Sequence, residues 1–249
     1  MEKYTLGMLI IFSAWCLVLG AWCLVPCGGN TATKNYSTKN QESMYKEWTQ
    51  LLDNFNASLG VKETSFKTLE AAYTGKERHY HNLAHITFML EGLAPFADKI
   101  EDIVALKTAI WFHDVVYNSL KKDNETKSAD WAVQFLQEVK ADIILQEKVR
   151  YMIEKTQFHM TIDSDEDFDT QLLLDLDLAI LGQSTERYAL YKDQVRKEYK
   201  WVPFLLYKRN RKKVLKKFLE MSFIYRTPFF RESLEEKARA NLAREIKTL

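Results

Sequence analysis

Three of the chain's five histidines, His79, His81 and His85, fall within nine residues, "RHYHNLAHI". A fourth, His113, stands beside Asp114 in "AIWFHDVVYN", and the fifth, His159, lies in "EKTQFHMT". Imidazole is a frequent metal ligand and the side chain whose ordinary pKa lies nearest neutrality. Clustering so scarce a residue points to a metal site. His81 and His85 are four apart, and on a helix such residues stack on one face, about 5–6 Å apart. That spacing suits two imidazoles on one metal, or one on a metal and the other on its substrate. Taken singly, each histidine is better read as a capping or hydrogen-bonded residue at a helix start.

The His113–Asp114 pair is flanked by apolar residues on both sides, which predicts a helix buried over much of its circumference. A carboxylate there must be paired or bound to a cation, because burying a bare charge is very costly. Neighbouring helical positions point about 100° apart, so a cation between the two directions is within reach of both side chains. A buried salt bridge to an arginine is the alternative. Asp175 and Asp177 interrupt the leucine run "QLLLDLDLAILG" in the same way. Two positions on a helix differ by about 200°, so one should be a ligand or core partner while the other looks elsewhere. Spacing alone leaves open which. Imidazoles and carboxylates without thiols suit a hard or borderline divalent ion, Mn²⁺, Fe²⁺, Ni²⁺, Co²⁺, Zn²⁺ or Mg²⁺. Such an ion can acidify a bound water and clamp a phosphoryl oxygen.

The elements expected to hold these residues are helices. Hydrophobic residues make up 47% of the chain and charged ones 28%, ordinary for a globular protein, while 8 glycines and 4 prolines are few for a loop-rich β-architecture. Helical periodicity starts at "MYKEWTQLLDNF" and recurs to the C-terminus with no convincing strand alternation. The expectation is one all-α domain of close to ten helices over 44–249. The three cysteines, Cys16, Cys23 and Cys27, lie in or beside the N-terminal leader, so the domain needs no disulfide framework.

Ahead of the domain, residues 1–27 form a hydrophobic leader. Met8 to Val25 is about 18 residues without a charge, at the short end of what spans a bilayer. With its long core and two tryptophans it reads as an uncleaved membrane anchor, a cleaved signal or lipoprotein being the alternatives. Lysines on both flanks leave the orientation undecided. Residues 28–43, "GGNTATKNYSTKNQES", read as a flexible tether. The acidic stretch "DSDEDFD" reads as a solvated loop. The cations of "YKRNRKKVLKK" read as spread around a solvated helix, with anionic headgroups as partners if the leader anchors the chain. A net charge of +1 makes nucleic acid an improbable partner.

In order, "RHYHNLAHI", "AIWFHDVVYN", "DNETKSA", "LDLDLAILG", "EYKWVP", "VLKKFL", "IYRT" and "ARANL" resemble the HD-domain metal-dependent phosphohydrolases, in an uncharacterised bacterial-type branch, from Trp48 to the C-terminus. The resemblance implies four metal ligands, His85, His113, Asp114 and Asp177. It implies His81 as general acid, as in cyclic-nucleotide phosphodiesterases with a similar "YHNLAH" segment. Glu125 or Asp123 would orient or deprotonate the attacking water, although capping by Asp123 or Asn124 accounts for that block equally well. His79, Lys127, His159 and Arg211 would be substrate contacts. Lys127 stands where the branch often has arginine, and Asn210–Arg211 replaces its usual Gly-Arg. His159 is alternatively a second-metal ligand or a satisfied surface histidine. The implied reaction is hydrolysis of a phosphomonoester or phosphodiester on a small, nucleotide-like substrate. Two rivals are a metal- or nucleotide-binding sensor and an iron oxygenase, whose second metal would need His159, His79 or Asp175.

Overall fold

The computed structural model describes residues 31–160 and 166–249, with side chains from residue 40 onward. The described residues form ten α-helices and no strand. In order they are α1 (Thr31–Asp53), α2 (Leu59–Tyr73), α3 (Leu83–Glu91), α4 (Ile103–Phe112), α5 (Asn124–Glu138), α6 (Ile143–Lys155), α7 (Phe168–Leu178), α8 (Thr185–Glu198), α9 (Phe204–Glu220) and α10 (Pro228–Thr248). No helix among these residues is long and apolar enough to cross a membrane, and the leader lies outside them.

Two helices form the centre. In α4, seven of the eight positions from Ala105 to Phe112 are buried, and in α7 nearly every position from Asp169 to Leu178 is. A helix apolar around its whole circumference must be enclosed by others. Accordingly α4 packs against α1, α3, α5, α6 and α7. Trp48 of α1 meets Trp111 of α4 edge to face, with ring centroids 5.2 Å apart, and Phe112 and Phe135 complete an aromatic cluster.

Side-chain caps mark where helices start. Asp102 accepts from the Ala105 amide at α4, Asp142 from Leu145 at α6 and Asp167 from Thr170 at α7. Each satisfies one of the unpaired amides of a first helical turn. Asn82 does the same for α3 through the Ala84 amide, so that helix starts at Leu83. His81 therefore precedes the helix, and the expected stack of His81 over His85 on one helical face does not form.

Three further expectations are corrected. α1 begins at Thr31, so residues 31–43 are helical, not an irregular tether. Once Met44, Trp48 and Leu51 anchor the helix in the core, each added turn costs little because propagation gains a hydrogen bond per residue. The acidic stretch is more than a solvated loop. Glu166 and Asp169 are buried, and Asp169 accepts the amides of Glu101 and Asp102 at 3.0 and 2.8 Å. The basic run is not evenly spread either: Arg211 turns inward, and the other cations share the outer side of α9.

Candidate metal centre

Three helices bring their ends to one point. His85 lies in the first turn of α3, His113 and Asp114 follow directly on α4, and Asp177 is near the end of α7. His113 is the C-cap of α4, so it and Asp114 leave the helix together and are not successive positions on it. Arg78 holds that exit. Its guanidinium donates to the carbonyls of His81, Asp114 and Val115 at 3.1, 2.6 and 2.8 Å, tying the histidine-rich turn to the end of α4.

Nε2 of His85 and Nε2 of His113 lie 3.1 Å apart. Asp177 Oδ1 is 3.3 Å from the first and 3.4 Å from the second, and Asp114 Oδ2 is 3.3 Å from His113 Nε2. Ligand atoms held about 2.0–2.2 Å from one ion sit roughly 3–3.5 Å from each other, so the spacing matches a shared cation. His113 Nδ1 lies 2.9 Å from the Ile110 carbonyl, which can only accept. Nδ1 therefore carries a proton, and Nε2 is the nitrogen that faces the cluster. Asp177 Oδ1 is buried and makes no hydrogen bond, and a buried oxygen in that position calls for a cation. His85, His113 and Asp114 can thus hold a metal ion, and Asp177 Oδ1 lies beside their two imidazoles.

The electrostatics agree. Burial pulls His113 down, but the Asp114 and Asp177 carboxylates outweigh it and hold the imidazole well above its usual range. Burial lowers His85. Burial would raise Asp177, yet the charge of His113 and the close imidazoles of His113, His159 and His85 hold it well below the usual carboxylate range. Two carboxylates are drawing positive charge into a space lined by imidazoles.

His159 is neither a surface residue nor placed as a free substrate contact. It is buried, and its Nε2 lies 2.7 Å from Asp177 Oδ2. It holds the outer oxygen of Asp177 so that Oδ1 faces the other imidazoles. Asp175 points the opposite way. It accepts from the Arg226 and Thr227 amides at 2.6 and 2.7 Å and from the Thr227 hydroxyl at 2.7 Å, holding the turn that leads into α10. That leaves Asp175 unable to supply a second metal.

Beside this group, His81 stacks on Tyr117 with ring centroids 4.2 Å apart, and its Nδ1 lies 2.6 Å from Glu198 Oε2. Glu198, the last residue of α8, also accepts the amides of His79, Tyr80 and His81 through Oε1 and the Tyr117 hydroxyl through Oε2. Burial pulls His81 down, but Glu198 and Asp114 more than offset it and raise the imidazole pKa. Glu125, in the first turn of α5, is pushed up to about 7 by burial, with the Asp114 and Asp177 charges adding to the rise. Asp114 retains 13% of its side-chain exposure, against 1–2% for His85, His113 and Asp177, so solvent reaches the group from its side.

Other expected contacts lie elsewhere. Lys127 is half exposed and pairs with Asp123 at 2.8 Å, and Asp123 makes no side-chain cap. Asn124 instead bonds the backbone of Asn118. Arg211 is fully buried against Glu245, with bonds of 2.7 and 2.9 Å, far from any role at a surface. His79 contributes its backbone amide to Glu198. Glu198 and Arg78 were not foreseen as functional residues. Arg78 stands in the quoted histidine stretch and Glu198 opens "EYKWVP", but nothing in their spacing tells what they touch.

No protein-family model matches the chain, and neither a curated protein nor a solved structure does.

Proposed function

We propose that this chain is a metal-dependent phosphohydrolase acting on a phosphomonoester or phosphodiester of a small, nucleotide-like molecule, as its resemblance to the HD-domain enzymes implies. The observation that carries this reading is the convergence of His85, His113, Asp114 and Asp177 beside a histidine charged by Glu198. The four donors would hold one divalent ion. When bound, such an ion supplies an acidified water and neutralises charge on a phosphoryl oxygen.

The protein's own residues divide the rest of the work. His159 keeps Asp177 turned toward the ion position, and Arg78 keeps Asp114 there by fixing its backbone. His81, kept protonated by Glu198, donates a proton from Nε2 to the leaving oxygen. Glu125, poised near neutrality, takes a proton from the attacking water. The arrangement suits phosphate esters because one group delivers a proton to the leaving side and another removes one from the attacking side.

The test is bound metal by elemental analysis of the full chain beside His113→Ala and Asp177→Ala. Phosphate release would be followed with Mn²⁺, Ni²⁺ or Co²⁺ on nucleotides and bis-(p-nitrophenyl) phosphate. Near-stoichiometric metal and turnover that both vanish in the variants support the assignment. Metal without turnover on any ester would replace it with a sensing role, and a chain that binds no metal would end it.

A further inference from the structure

The outer side of α9 carries a feature the hydrolytic site does not use. Lys208, Arg209, Lys212, Lys213, Lys216 and Lys217 all reach solvent, and among the described residues none of the six forms an ion pair. Glu220, at the last position, is the one acid in that helix. Surface lysines and arginines commonly alternate with acids, so an unneutralised face of this length stands out against a whole-chain net charge of +1.

The same face begins with apolar side chains that stay largely exposed. Leu205 is 80% exposed, Phe204 57%, Trp201 45% and Leu206 40%. These four sit at the N-terminal end of α9 and just before it, while the cations extend from there toward its C-terminus. Lys208 lies over the Phe204 ring at 4.9 Å, so charge and apolar surface meet at one edge. A protruding aromatic and leucine group bordered by lysines is the composition that enters the headgroup region of a bilayer, with the cations on anionic phosphates. A polyanion such as nucleic acid would satisfy the cations but leave Leu205 and Phe204 in water.

We infer that this face docks on an anionic lipid surface, with Trp201, Phe204 and Leu205 inserted at headgroup depth. The charge-free run from Met8 to Val25 is a separate sequence feature suited to the same surface. Docking would also place a bilayer beside the candidate centre. Trp201 Nε1 donates to Ser119 Oγ at 2.8 Å, and Ser119 Oγ donates to the carbonyl of Glu198 at 3.3 Å. The inference does not depend on the hydrolytic reading.

The test reads Trp201 alone within the full chain. Tryptophan emission of the chain and of Trp201→Phe is recorded on vesicles containing brominated phosphatidylcholine, with and without phosphatidylglycerol. The difference between the two proteins is the contribution of residue 201, whatever the leader does. Quenching of that contribution on anionic vesicles, weaker at high salt and lost in Arg209→Glu/Lys213→Glu/Lys216→Glu, is expected. Metal content of the charge-reversed protein should match that of the parent. An unquenched contribution on anionic vesicles overturns the inference, as does equal quenching on neutral ones. Duplex DNA that binds the detergent-solubilised chain through the same three cations, without quenching on vesicles, would assign the face to a polyanion instead.

Discussion

Glu198 Oε2 and His81 Nδ1 are 2.6 Å apart in a buried pair that joins the end of α8 to the turn before α3. The carboxylate fixes the proton on Nδ1 and favours the charged imidazolium, leaving Nε2–H as the donor. If protonated His81 is the acid, turnover is full below its raised pKa and falls as pH rises through it. Glu198→Gln removes the supporting charge, so the alkaline limb should move to lower pH and kcat should drop at least about tenfold at neutral pH. Metal content should stay at the parent level. A pH–rate profile that keeps its alkaline limb in place would remove His81 from the proton-donating role.

Glu125 occupies a different position. It lies outside the metal-binding donors but near enough for Asp114 and Asp177 to raise it to about 7. Glu125→Gln keeps the side-chain shape and cannot accept the proton. The expected result is a kcat lower by about 10²–10⁴-fold with KM and metal content little changed. A rise in KM at constant kcat would make it a substrate contact.

Asp175 and Asp177 are two residues apart on one helix and should fail in different ways. Asp175 holds the turn before α10 with three buried hydrogen bonds, so Asp175→Ala should cost about 2–4 kcal/mol of stability with or without chelator. Asp177→Ala should instead abolish the stabilisation that added metal gives, which is about 2.7 kcal/mol for ligand at a hundred times Kd. Thermal unfolding with metal and with chelator separates the two. Equal responses in both variants would contradict the opposed orientations.

That opposition marks the boundary of what the sequence tells. The leucine run showed that Asp175 and Asp177 could not share a site, but which one faces the imidazoles depends on how α7 is rotated against α4 and α10. That rotation is set by packing across the whole core. The all-helical architecture was legible because periodicity carries it, whereas His85, His113 and Asp114 were joined as one set by the resemblance to the HD-domain enzymes. Glu198 was not legible, since it meets His81 across 117 residues of chain and looks, in sequence, like one more charge on a solvated helix. His81 was misplaced on a helix because Asn82 caps α3 one residue later. His159 resembled a surface residue because its partner, Asp177, is 18 positions away on another helix.

Arg211 separates a structural role from a substrate contact most directly. Its guanidinium is enclosed with Glu245, which also accepts from the Tyr188 hydroxyl, and it stacks over Tyr191 at 5.5 Å. Arg211→Ala strands the Glu245 carboxylate in the interior, and removing one partner of a buried pair costs about 3–5 kcal/mol. Chemical unfolding should show that loss, while KM of the remaining folded fraction should not change. The double variant Arg211→Met/Glu245→Leu removes both charges and should recover most of the stability, because apolar replacement of a whole buried pair is often neutral or better. A substrate contact would give the reverse pattern: near-normal stability in the single variant and a raised KM that the double variant leaves uncorrected.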